Sequence, residues 1–246
     1  MSDLSAGAGL LGRFEATRII NLPHRADRRR ETEKEFRRVG YPIDHRYVQF
    51  SAAQRPESAG GFETIGTHGC FLSHLAVLKE SLAKGHAALL ILEDDIAFTG
   101  DLHSLGDALT DTLIKNKWGI FYGGHEQIDP SGFDRVGSAR LVPVDMPVRT
   151  AHFVAFWRPT IEVLVPYLEA MLEREPGSPE GGPMHVDGAY GWFRRAHPEV
   201  ITLAAPFTLA RQRPSRTDIH ALPLTDRLPV VRDVKEWMRR ALPVRV

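Results

Sequence analysis

The chain has 246 residues, with 31 Lys and Arg against 31 Asp and Glu, so its formal charge is zero with His neutral. That balance excludes a purely electrostatic nucleic-acid binder, while 43% hydrophobic and 25% charged residues describe an ordinary packed core. The single cysteine, Cys70, excludes an intrachain disulfide and an all-cysteine metal site. Residues 1–16 lack the cationic start and apolar stretch of a signal peptide. The longest apolar run, 87–92, falls far below the roughly 18 residues that span a bilayer. The expectation is a soluble, cytoplasmic chain built on one large domain.

In chain order, a β-prone run over 18–22 stops at Pro23, and a highly charged helix follows over 26–39, closed by Gly40 and Pro42. Few apolar residues beyond Phe36 and Val39 break its charge, so a solvated face is expected. A second strand over 46–50 leads into a polar loop over 51–66. Phe71, Leu75, Leu78 and Leu82 then recur at helical spacing, and Gly85 supplies a left-handed helix end. Residues 87–92 are apolar on both alternating faces, as a central strand covered by helices must be. Further strands are expected over 118–122 and 151–157, a helix over 160–174 bent or broken at Pro166, and a Gly/Pro loop over 175–183. This alternation predicts an α/β fold on a mostly parallel sheet.

The buried strand ends in Glu93-Asp94-Asp95. In open α/β sheets the ligand crevice lies beyond the carboxyl ends of the strands. Three adjacent carboxylates repel one another, and a hard divalent cation with oxygen ligands relieves that repulsion while bridging to phosphate. Mn²⁺ or Mg²⁺ fits, and strand alternation sets Glu93 and Asp95 on one face and Asp94 on the other. The competing reading is an acidic turn with capping duty.

Four segments in this order resemble the family 25 glycosyltransferases, associated with lipopolysaccharide assembly and collagen galactosylation. They are Ile19-Ile20-Asn21-Leu22 with Arg25 and Arg28; Gly69-Cys70-Phe71-Leu72-Ser73-His74-Leu75; Leu92-Glu93-Asp94-Asp95; and Val186-Asp187 followed by Ser215-Arg216-Thr217-Asp218-Ile219. The resemblance implies a GT-A-like fold with a Rossmann-like sheet, a UDP-sugar donor, a divalent metal and inversion at the sugar carbon. It spans roughly Thr17 to His220, and the chain is read as a flexible segment over 1–16, the transferase domain over 17–222 and an amphipathic helix over 223–246. Leu78, where the family often has an aromatic residue, and the continuation Gly188-Ala189-Tyr190 depart from its usual pattern.

Carried over by position, the resemblance implies Asp95 as metal ligand and Glu93 facing the donor ribose or the metal's water shell, with Asp94 and Asn21 in the same donor site. Arg25 and Arg28 would grip phosphate or base through paired guanidinium bonds, against the alternative of a solvated basic helix that includes Arg29 and Arg30. Ser51 and Ala52 end the second strand, where a small residue lets a base approach. Ser73 and His74 are read as lying in the first turns of a helix whose free N–H groups favour anions, with a buried structural histidine as the alternative. Inversion needs a general base, assigned to Asp187, against the reading of a plain helix cap. Tyr190 and Trp192 follow it as sugar-stacking candidates. His220 would complete the metal shell, near Asp218. Val230, Val234, Trp237, Met238 and Ala241 share one helical face flanked by cations, suited to peripheral contact at the inner face of a membrane, with packing on the core as the alternative.

The function expected is transfer of a hexose from a UDP-sugar to a hydroxyl of a saccharide or lipid-linked glycan. The alternatives are a nucleotide-diphosphate hydrolase and a non-catalytic nucleotide-sugar or glycan-binding module.

Overall fold

A computed structural model describes residues 9–41, 43, 46–125 and 128–213. Asp218, His220 and the 223–246 helix expected from the sequence lie outside the described residues, as does the 215–219 segment.

The chain opens with β1 (Ala16–Asn21), whose six residues are all buried, then α1 (Ala26–Arg38) and the edge strand β2 (Val48–Ala52). α1 buries Arg28, Thr32 and Phe36, one residue per turn. Its inward stripe therefore grades from polar at the start to apolar at the end, which a count of apolar residues does not reveal.

The long helix α2 (Ile65–Ala83) begins at Thr64, whose hydroxyl accepts a hydrogen bond from the Thr67 N–H, and ends before Gly85 at φ +74°, the left-handed end expected of it. It starts two turns before Ser73, so its free N–H groups lie near Ile65 and not at Ser73 and His74, which correct the expected placement. β3 (Ala88–Glu93) is the central strand and β4 (Ile96–Phe98) follows a two-residue turn.

α3 (Asp101–Lys115), β5 (Ile120–Tyr122), β6 (Arg135–Val136), β7 (Ala139–Leu141) and β8 (Phe153–Trp157) come next. α4 (Arg158–Leu172) runs unbroken through Pro166. α5 (Val186–Ala196), β9 (Thr202–Ala204) and β10 (Ala210–Gln212) complete the described elements.

Eight strands form one sheet in the order β2-β1-β3-β8-β5-β9-β7-β6, and β4 pairs with β10 in a separate ribbon. The parallel pairing expected holds for β2-β1-β3 and for β5-β9, but β8 runs antiparallel between β3 and β5, so the sheet is mixed. Strand alternation divides the core. Leu89 and Ile91 join Phe71, Leu78, Leu164 and Phe193 on the face covered by α2, α4 and α5. Ala88, Leu90 and Leu92 join Phe36, Leu102 and Leu109 on the face covered by α1 and α3. The chain thus forms the α/β architecture expected, a central sheet flanked by helices on both faces. Among the described residues, no helix is long and apolar enough to cross a membrane.

The segment 1–16 was expected to be flexible, and its described part is instead packed. Leu10, Leu11, Phe14 and Ala16 are each no more than 2% exposed, and Phe14 meets Trp118 edge to face. A Leu-Leu pair reads as too short for an element, yet a single 3₁₀ turn over Leu11–Arg13 suffices to turn both into the α3 layer. Leu11→Ala should therefore cost about 2–5 kcal/mol as for other core leucines, read from the urea midpoint. An unchanged midpoint would show that this turn lies outside the cooperative core.

Candidate functional site

The carboxyl ends of β1, β2 and β3 meet at the Glu93-Asp94-Asp95 turn. β3 ends at Glu93, and Asp94 and Asp95 form the turn after it, so partners rather than strand alternation separate the three acids. Asp94 turns toward α1, where its carboxylate accepts from Asn21 Nδ2 at 2.7 Å and from Arg28 at 2.8 Å. Its backbone carbonyl accepts from Thr32 Oγ1 at 2.7 Å and from Arg213 at 2.8 Å. Both carboxylate oxygens are thus taken up inside the protein. Asn21 and Arg28, expected at the donor, are directed to Asp94, and Arg28 is also 3.7 Å from Asp95.

Glu93 and Asp95 have a different environment. Glu93 Oε2 accepts from Gln212 at 3.1 Å, and Glu93 Oε1 lies 3.8 Å from His74 Nε2. Burial pushes the Glu93 carboxyl up, but His74, His152 and Gln212 outweigh it and hold the group below its usual value. Asp95 goes the opposite way. Burial and the neighbouring Glu93 charge push it up to about 7, with Arg28 opposing the rise. Its Oδ1 is buried and has no hydrogen-bond partner among the described residues.

β10 closes this end of the site. The Arg213 N–H donates to the Asp95 carbonyl at 2.6 Å, so the backbone after β10 is stitched to the acidic turn. Neither Gln212 nor Arg213 was a sequence candidate. Their placement follows from β10 pairing with β4 across more than a hundred residues of chain, a contact that no local pattern encodes.

Ser51 and Ala52 stand at the end of β2 beside Asn21, in the register Asn21 to Ala52, with Ala52 exposed. Arg25 pairs with Asp27 at the exposed start of α1. Ser73 is buried. Its hydroxyl donates to the Gly69 carbonyl and accepts from the Gln54 N–H at 2.8 Å, pinning the loop after β2 onto α2. That contact needs Gly69 itself, because a Cβ there would stand 2.6 Å from the Gln54 carbonyl oxygen.

His74 is fully buried, and its Nδ1 is 3.0 Å from the Tyr190 hydroxyl. Tyr190 is fully buried too, so it cannot stack on a sugar face as the sequence suggested. Trp192 is partly buried with Arg195 over its ring. Asp187 lies in the first turn of α5, half-buried, its Oδ1 accepting from the Gly188 N–H at 2.7 Å. Its charge reaches Cys70, Tyr122 and Tyr190, which sets it on the Glu93 side of the site. Burial, Glu93, Asp187 and Asp95 together push the Cys70 thiol well up. His152, buried against β3, was missed by sequence reasoning. Its Nε2–H donates to the Ala210 carbonyl at 2.9 Å, while its Nδ1 has no partner among the described residues.

The site therefore joins an acidic cluster at the strand ends, a buried His-Tyr pair beside it and a carboxylate on α5. Residues 49–131 match glycosyltransferase family 25, described as an LPS biosynthesis protein family. Among curated relatives, the rat probable inactive glycosyltransferase 25 family member 3 is 30% identical over 90 residues, 36% of this chain and 16% of that protein. The human inactive glycosyltransferase 25 family member 3 is 35% identical over 69 residues, 27% of this chain and 12% of that protein. The match thus spans less than a fifth of these relatives' length. Among solved structures, a glycosyltransferase involved in glycosylation of the major capsid of PBCV-1 aligns over 82% of this chain and 94% of its own, with 9% identity and a TM-score of 0.45. The matched segment holds the Cys70–His74 helix and the acidic turn, and over that third of its length the chain is similar to glycosyltransferase family 25.

Proposed function

We propose that this chain transfers a hexose from a UDP-sugar to a hydroxyl of a saccharide or lipid-linked glycan, with inversion and with Mn²⁺ or Mg²⁺. The observation that carries the reading is Asp95 Oδ1, buried without a partner beside the Glu93 carboxylate at the carboxyl ends of the strands. An orphaned buried oxygen is costly unless something supplies it, and a hard cation with oxygen ligands fits this pair of acids. When bound there, the ion offsets the charge of the departing diphosphate.

The protein's own residues divide the remaining work. Arg28 and Asn21 hold Asp94, and Arg213 holds the turn, so Asp95 and Glu93 are fixed in place before the donor arrives. Ser51 and Ala52 border the nucleoside side, with Arg25 at its exposed edge. Asp187 accepts the proton of the acceptor hydroxyl. That oxygen forms the new bond to the sugar carbon from the face opposite the breaking bond, and UDP leaves with the bonding electron pair.

A second reading, a non-catalytic nucleotide-sugar-binding module, is favoured by the inactive status in the names of the rat and human relatives. A UDP-sugar panel with Mn²⁺, Mg²⁺ or EDTA, with and without glycan extract, separates the two. Transfer predicts metal-dependent UDP release that rises with extract. Asp187→Asn should then lower kcat by about 10²–10⁴ while leaving donor affinity nearly unchanged. Metal-dependent UDP binding without release in any extract supports the binding module, and neither binding nor release refutes both.

Asp95 also makes a prediction that needs no turnover. Its value in the folded protein, about 7, lies above that of a free carboxylate, so the stability it contributes when neutral is lost as pH rises toward and through 7. In chelated protein, Asp95→Asn should raise Tm clearly at pH 8 and less at pH 5. Equal shifts at both values would show that the carboxylate is not held in an unfavourable site.

A further inference from the structure

We propose that Cys70, His74 and Glu93 form a binding site for a thiophilic divalent cation such as Zn²⁺, which adjoins the site at Asp95, shares Glu93 with it and does not need Asp95. Cys70 and His74 stand one turn apart on α2, on the side that meets the end of β3. The Cys70 sulfur, a His74 ring nitrogen and a Glu93 carboxylate oxygen all lie within 4.8 Å of one another. Bonds of about 2.0–2.3 Å set zinc ligands roughly 3.3–3.8 Å apart. The His74 Nε2 to Glu93 Oε1 distance of 3.8 Å already meets that spacing, so the remaining closure falls to the Cys70 side chain.

The independent sign of a ligand is His74 itself. It is 0% exposed, yet its Nε2 has no hydrogen-bond partner among the described residues and points at Glu93. Buried ring nitrogens are ordinarily satisfied. Its other nitrogen is fixed by the Tyr190 hydroxyl at 3.0 Å, the arrangement in which a metal-bound histidine donates its second N–H to an oriented acceptor. Glu93 is likewise divided, with one oxygen on Gln212 and the other facing His74.

The surroundings favour a cation. Asp187 and Asp95 add their fields to that of Glu93 at the Cys70 sulfur. A mixed sulfur, nitrogen and oxygen set suits Zn²⁺ over Mg²⁺ or Mn²⁺. On binding, the sulfur–metal bond forms as the thiol proton passes to solvent, and thiolate and carboxylate together neutralise the ion. The inference does not depend on transfer activity.

Cobalt titration of the chelated full chain tests it. Cys70 is the sole cysteine, so a near-ultraviolet thiolate-to-cobalt absorption can arise only there. One equivalent of that band is expected in the wild type and in Asp95→Asn, displaced by Zn²⁺. It should vanish in Cys70→Ser, and His74→Gln should weaken binding on the order of tenfold or more. No band in the wild type overturns the site, as does cobalt binding with only a weak spectrum that Asp95→Asn removes. Should Cys70→Ser fail to fold, alkylation of the wild-type thiol decides. Protection by Zn²⁺ supports the site, and an unchanged rate with Zn²⁺ overturns it.

Discussion

The buried ion pair between Arg28 and Asp94, 2.8 Å long with both side chains nearly closed to solvent, is the contact on which the site depends. A buried pair of this kind adds little net stability, because desolvating two charges offsets most of their attraction. What it supplies is geometry. Removing either partner would leave a buried charge unmatched, so the pair fixes how α1 crosses the end of β3. Asn21 on β1, Thr32 on α1 and Arg213 after β10 complete the arrangement around Asp94. Three separate parts of the chain, β1, α1 and the segment after β10, are thereby registered on one residue.

That registration has a consequence for Glu93 and Asp95. With both carboxylate oxygens of Asp94 taken up in the interior, its two neighbours are left under each other's charge. Glu93 keeps its charge through His74, His152 and Gln212, and the burden falls on Asp95. Unpartnered buried polar atoms gather around the same end of the sheet, on Asp95, His74, His125 and His152. Ser81 Oγ and His86 Nδ1, toward the far end of α2, are also unpartnered, so it is the clustering beside the acidic turn that marks a candidate site.

The sequence made most of this legible where a pattern is local. The helical period of Phe71 to Leu82, the apolar 87–92 run and the Gly85 helix end predict α2 and β3 directly. The alternation read for the three acids stops at Glu93, where β3 ends. The sequence is silent where partners are distant in the chain. Gln212 and Arg213 reach Glu93 and Asp94 across 119 positions, and short strands such as β4 and β10 carry no periodicity of their own. α1 illustrates a subtler failure. Its charge suggests a solvated face, yet Arg28 is buried because Asp94 waits for it, while Arg29 instead lies over the Phe50 ring at 4.5 Å. Tyr190 reads as an exposed aromatic for a sugar until the packing of α5 against Phe156 and His74 encloses it.

The two halves of the proposed reaction rest on different parts of the chain. The donor side is built from β1, α1, β2, α2 and the acidic turn, and the family match over 49–131 covers the later part of that half. Asp187 lies beyond the match, on a helix held by the buried anchors Val186, Ala189, Tyr190 and Phe193. A chain can therefore keep the strand ends, the buried Arg28–Asp94 pair and the His74–Tyr190 contact, and with them the donor side of the proposed reaction, whatever becomes of the carboxylate on α5. Binding and transfer are structurally separable here, since the pair that fixes the donor side does not extend to the residue assigned to the acceptor hydroxyl.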